Sequence, residues 1–372
     1  MSTRRSQAFG QAIWDREPFR IGVLLDQALG TPVPEHFTRA LQLALDDGHA
    51  SGLLAKPAEL VIRSVNGLPF GRFDRVVTAW KELVEDEHCI VVAGPWLSEN
   101  AIALHPLIEA GHVASLSMAS VLQWHGENCF AFQNGAPPED MALAIGYIAA
   151  QGCENVAIVH EANSFGEECH QHARVQARRL GLRLAADHVW TADGQGAAEL
   201  LARLRRTDAQ ALLYLGYGFD GHEFIRLAGA SDWTVPMLVG SILMGATTPD
   251  YGYGYELADF EGWTGVDQFD LRNPATQDFL DRYEKQYGER PQHSYATHGY
   301  DWGMTLVEAL HVARPATPLG LRAALESVRN LPAVTGSAGT TIGFGPHDHR
   351  GFKGSRWVSL STIRDGQIVK VD

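Results

Sequence analysis

Three glycines, Gly216, Gly218 and Gly221, form G-x-G-x-x-G between the strand-like "ALLYLG" and a helical segment. That spacing lets a backbone approach a dinucleotide pyrophosphate at a helix N-terminus. The acid that would hold a ribose is missing: the next strand, "PMLVG", runs into Ser241, and Asp232 lies at its wrong end. An NAD(P)-dependent oxidoreductase built on these glycines is therefore the alternative reading. His170 and His172 fall on different faces of a helix, and His347 and His349 lie in the turn-like "GPHDHRG". His-x-His binds metals, but no third ligand follows at a metal-site spacing. No G-x-S-x-G, H-E-x-x-H or Walker loop occurs. The expectation is a protein that is not an enzyme and carries no cofactor and no metal.

A different chemistry gathers at strand ends. In "VAGPWLSENAIALHPLIEAGHVASLSMAS" (92–120), each of two strands stops in small and hydroxyl residues. Ser98 and Ser120 are placed to cap the segments that follow them. The same geometry, exposed N–H groups beside a hydroxyl, cradles a carboxylate or an amide oxygen. Trp96, Met118 and Ala119 belong to the same two turns. Further on, "NSFG", "GYGFD" and "GSILMG" hold Phe165, Tyr217, Phe219 and Ser241. Those aromatics face either the core or a ligand.

The elements that position these turns alternate. "RIGVLLD", "AELVIRSVN", "CIVVAG" and "VASLS" read as strands, with helical segments at 34–50, 73–87 and 99–111 between them. A second round runs through strands at 155–161, 183–190, 211–216 and 236–240. Such alternation means parallel sheets covered by helices on both faces, formed twice. Chain breaks are expected near Gly135–Pro138 and Gly262–Gly265, and a closing hairpin at 363–371 around Asp365-Gly366. The chain of 372 residues carries 30 Lys and Arg against 44 Asp and Glu, a net charge of -14 that repels nucleic-acid backbones. Its 4 cysteines make no C-x-x-C pair and read as free thiols. The first twenty residues hold no apolar leader, so the sequence as it stands reads as cytoplasmic, or as periplasmic if a leader has been removed.

The run from Gly94 to Ser120 resembles a stretch of the type I periplasmic binding proteins, in their leucine/isoleucine/valine-binding and amide-receptor branch. The resemblance continues through "VAIVHEANSFGEE", "GYDWGMTLVEAL" and "FGPHDHRGFKGSRWVSLSTIRDGQIV". It implies an α/β fold of two Rossmann-like lobes joined by three crossovers, with a ligand cleft between them. Its expected extents are an N-terminal extension over 1–19, one lobe over 20–136 and 266–340, and the other over 137–265 and 341–372. It also implies that Ser98, Met118, Ala119 and Ser120 hold a ligand carboxylate or amide, with Phe165 where the family usually has Tyr. Tyr217 or Phe219 would cover the ligand, and Ser241 falls near the position where amino-acid binders place an acid. "DQALGT" departs from the family's first loop. The partners implied are a small-molecule ligand, an ABC permease or a regulated protein, and a second copy of the chain.

Overall fold

The computed structural model describes residues 18–27, 31–191, 196–245, 255–354 and 356–371. The chain divides into two compact units: the described residues up to Gln133 with Leu271–Lys353, and Asn134–Asp270 with the described residues from Gly354 onward. Neither unit is a continuous stretch. The chain passes between them three times, after Gln133, Asp270 and Lys353. Residues 341–353, expected in the second lobe, belong to the first unit. The expected break at Gly262–Gly265 leads into a strand instead, beginning at Trp263; position 265 in it is glycine because a Cβ there would stand 2.5 Å from the Met244 methyl.

In the first unit, β1 (Phe19–Leu25), β2 (Ala58–Ser64), β3 (Val91–Ala93), β4 (Ala114–Ser117) and β5 (Cys129–Ala131) form a parallel sheet in the order β2-β1-β3-β4-β5. Helices α1 (Val33–Ala50), α2 (Phe73–Lys81) and α3 (Ser98–Glu109) connect them. The apolar stripe read for α1, with Phe37, Leu41, Ala44 and Leu45, is buried.

The second unit repeats the order. Strands β6 (Asn155–Glu161), β7 (Arg183–Trp190), β8 (Ala211–Leu215), β9 (Met237–Val239) and β10 (Trp263–Asp267) run in parallel as β7-β6-β8-β9-β10. They alternate with α4 (Pro137–Ala150), α5 (Ser164–Leu180), α6 (Ala197–Leu204), α7 (His222–Gly229) and α8 (Ser241–Gly245). The Asn163 side chain caps α5 by accepting the Gly166 N–H, and left-handed Gly181 ends that helix.

The chain then returns to the first unit with α9 (Pro274–Tyr287), α10 (Ser294–Val312) and α11 (Pro318–Leu325), and with the short pair β11 (Leu331–Pro332) and β12 (Thr341–Ile342). It finishes in the second unit with β13 (Ser359–Arg364) and β14 (Gln367–Lys370), where β13 lies antiparallel on β10. Asp365 and Gly366 both have positive φ, the turn that matches strand twist in a two-residue hairpin. No helix among the described residues is long and apolar enough to cross a membrane.

Candidate ligand-binding site

The carboxyl ends of parallel strands leave backbone donors pointing out of the sheet, and in each unit a buried carboxylate meets them. Asp26 follows β1. Its Oδ1 accepts the Trp96 N–H at 2.6 Å, and its Oδ2 accepts the Leu97 N–H at 3.2 Å and the Asn100 amide at 2.7 Å. Burial pushes this carboxyl up to about 6, against the pull of those donors. Glu161 ends β6, the equivalent strand of the second sheet. It accepts the N–H groups of Tyr217 at 2.7 Å and Gly218 at 2.8 Å, the Tyr214 hydroxyl at 2.9 Å and the Asn163 amide at 2.8 Å. Burial raises it to about 7.

These two carboxylates revise the sequence reading. Backbone donors next to Ser98 that were expected to cradle a ligand oxygen are already satisfied by Asp26. Two of the three glycines of the G-x-G-x-x-G run make room for the protein's own groups. A Cβ on Gly216 would stand 2.3 Å from the Glu161 carboxylate, and one on Gly221 would stand 2.1 Å from the Tyr214 hydroxyl. A pyrophosphate has no place beside a buried acid. Nor is either serine a cap: Leu97 precedes α3, Val121 precedes the short 3₁₀ turn Leu122–Trp124, and neither junction has a side-chain cap bond.

Around these anchors the candidate side chains collect unit by unit. In the first, Ser98, Met118 and Ala119 are buried and Ser120 is half-buried. The Ser117 hydroxyl donates to the Pro95 carbonyl at 2.6 Å and accepts the Ala119 N–H at 3.0 Å, which ties the two turns together. Trp96 stacks on Tyr295 at 5.7 Å and meets Phe37 edge-on at 5.1 Å, while its buried indole N–H has no partner among the described residues. In the second unit, Phe165 stacks on Tyr217 at 5.4 Å and Tyr217 on Phe219 at 5.0 Å. The outermost ring, Phe219, is half-buried. The Ser241 hydroxyl donates to Asp140 Oδ2 at 2.6 Å. Burial raises Asp140 to about 7.

Sequence reasoning missed Glu161, Asp140, Tyr295 and Gln268. Gln268 follows β10, and β10 pairs with β9 in parallel with Gly265 opposite Val239, so Gln268 and Ser241 leave the sheet at the same end. Its side chain is buried, and neither its amide nitrogen nor its carbonyl oxygen has a partner among the described residues.

Among the described residues two groups have metal-ligand types within reach of one another, His105 with Glu109 and Cys129, and His160 with His170 and Asp187. In the first, His105 Nε2 is bonded to the His125 carbonyl, and Glu109 accepts the N–H groups of Glu127 and Asn128. In the second, the imidazoles lie flat on each other at 3.9 Å and 6°, so their in-plane lone pairs run side by side and do not converge on one ion.

Two α/β units of one strand order each carry hydroxyls and aromatic rings at the carboxyl ends of their strands. The chain belongs to the periplasmic binding protein family, whose model matches residues 18–367. Proteins of this family bind small ligands, work with ABC-transporter permeases and are not enzymes. Among curated proteins the chain is similar to Leu/Ile/Val-binding protein homolog 7 of Brucella abortus (strain 2308), 23% identical over 238 residues. That match covers 58% of this chain and 54% of the relative, so the chain spans about half the length of the curated relatives it matches. Among solved structures, a periplasmic binding protein type 1 from Bordetella pertussis Tohama I is 21% identical with a TM-score of 0.78, covering 95% of this chain and all of its own. A solute binding protein of an ABC transporter from Rhodopseudomonas palustris BisB5, in complex with 3,4-dihydroxy benzoic acid, is 16% identical with a TM-score of 0.75, covering 95% and 96%. At these identities the likeness is one of fold.

Proposed function

We propose that the protein binds, without transforming it, a small organic molecule that carries a carboxylate or amide on an apolar or aromatic body. The observation that carries this reading is the stack of Phe165, Tyr217 and Phe219 at the strand ends of the second unit, in the unit that also holds Ser241. Phe165 and Tyr217 are buried, and the half-buried Phe219 ring at the end of the stack offers an apolar face to a ligand. On the first unit, Ser98 and Ser120 supply hydroxyls for the ligand's oxygen atoms, with Met118 and Ala119 shaping the turn between. The names of similar proteins span both ligand types, branched-chain amino acids and an aromatic acid.

Within this reading the protein either delivers its ligand to an ABC permease or reports its presence to a regulated partner. Delivery requires the periplasm and sensing the cytoplasm, and fractionation of cells that make the full-length protein distinguishes them. The binding itself is tested by a thermal melt against matched acids, amides and amino acids. A true ligand stabilises by RT ln(1 + [L]/Kd), about 2.7 kcal/mol at a hundredfold excess over Kd. If turnover of an ester, amide or alcohol appears and is lost on mutating Ser98 or Ser241, the non-catalytic reading is refuted.

A further inference from the structure

Gln268 has 3% of its surface exposed, and both ends of its carboxamide lack a partner among the described residues. Burying an amide without hydrogen bonds is costly, and folded proteins nearly always match such groups with protein, water or ligand. Its place narrows the choice. Gln268 lies just beyond the carboxyl end of β10, at the end of the sheet where Ser241 leaves β9. Its neighbours are committed elsewhere. Asp267 accepts from Lys370 Nζ at 2.9 Å, from the Ser361 hydroxyl at 2.8 Å and from the Phe269 N–H at 2.9 Å. Ser241 donates to Asp140.

We infer that Gln268 is a ligand-reading residue, and that it selects a ligand presenting an N–H donor and a C=O acceptor side by side, as a primary amide, urea or lactam does. This rests on the binding function proposed above and sharpens its ligand class. The chemistry is that of the carboxamide itself, which has two donor hydrogens on nitrogen and an acceptor oxygen. A carboxylate satisfies only the donors and leaves the Gln268 oxygen unpaired. An ammonium satisfies only the oxygen and leaves the nitrogen unpaired. An amide pairs with both ends at once. Sites built on such a pair reject partners that leave one half unmatched.

The test uses phenylacetamide, phenylacetate and phenethylamine, read by calorimetry on the parent protein, Gln268→Met and Gln268→Glu. The parent is expected to bind the amide at least tenfold more tightly than the acid or the amine. Gln268→Met, of similar length without polar ends, is expected to erase that preference, and Gln268→Glu to shift it toward the amine. The unliganded Gln268→Met protein is expected to melt no lower than the parent, because an unpaired buried group has been removed. An amide preference that survives in Gln268→Met overturns the inference while leaving the binding function intact, and so does a parent that prefers the acid. If no probe binds the parent, the binding reading for aromatic-bodied ligands fails first. The melt then still decides for Gln268: a lower midpoint in the unliganded Met variant means that an internal partner holds the carboxamide, and the inference falls.

Discussion

Replacing Glu161 by alanine tests whether the second unit's turn is held by a buried acid. The loss leaves the Tyr217 and Gly218 N–H groups and the Tyr214 hydroxyl, all on buried residues, without their acceptor. At about 1–3 kcal/mol for each stranded donor, the gross cost is roughly 3–9 kcal/mol. Against it stands relief of the burial that raises this carboxyl from 4.5 to about 7. At about 1.4 kcal/mol per pKa unit that relief is about 3 kcal/mol where the group is ionised. The expected net loss at neutral pH is therefore about 0–6 kcal/mol. The pH dependence has a definite sign. Because the folded value is raised, the native state holds a proton that the unfolded chain releases between about pH 4.5 and 7. The acid's favourable contribution is complete below the unfolded value and is lost as pH rises through the folded one. Removing Glu161 should thus cost about 1 kcal/mol more at pH 6 than at pH 8. Urea unfolding followed by far-ultraviolet circular dichroism, at both pH values, measures this. A loss that is the same at both pH values, or one that grows with pH, would refute the anchoring role.

Three further outcomes are expected. Ser98→Ala and Ser120→Ala should each weaken binding of an amide or carboxylate ligand by about 1–3 kcal/mol in calorimetry, and parental affinity in both would remove these serines from the site. Millimolar NADH should leave the melting midpoint unchanged and gain no fluorescence on mixing, since Glu161 fills the turn a pyrophosphate needs; a clear shift in either would revive the dehydrogenase reading. Asp301, buried with its oxygens on the Val334 and Thr335 N–H groups, is pushed up from 3.8 to about 7 by burial. Its contribution to stability is complete below about pH 4 and lost as pH rises through about 7, so Asp301→Asn should flatten the fall in melting midpoint between about pH 6 and 8.

The alternation of strands and helices was legible because its periods are local, and so was the Asp365-Gly366 turn, whose two residues are good left-handed formers. The site was legible as a region and obscure in its wiring. Ser98 looked like a cap because a serine before an acid and an apolar run has that signature, whereas the helix begins at Ser98 itself. The anchoring acids had left a sign that went unused. "RIGVLLD" and "NVAIVHE" are both apolar strands whose seventh residue is an acid, at the same point of the two repeats. A charge that ends a buried strand in both halves needs donors, and the donors come from the turn after the third strand of each sheet. Gln268 carried no such sign. Its isolation is a tertiary fact, because only packing decides which amides lack partners.

The interleaving of the two units bears on how the protein is made. A ribosome delivers β6 through β10 long before the last nineteen residues, and β13 is the strand that covers the outer edge of β10. Until then β10 shows a bare row of backbone donors and acceptors, the kind of edge on which nascent chains pair with one another. The first unit likewise waits for α9, α10 and α11, which arrive only after the second unit's parallel strands have been synthesised. Completion of both units therefore waits for the residues beyond Asp270. A protein truncated after Lys353 would keep every proposed ligand contact and still present that unprotected edge, so its expected fate is aggregation before binding.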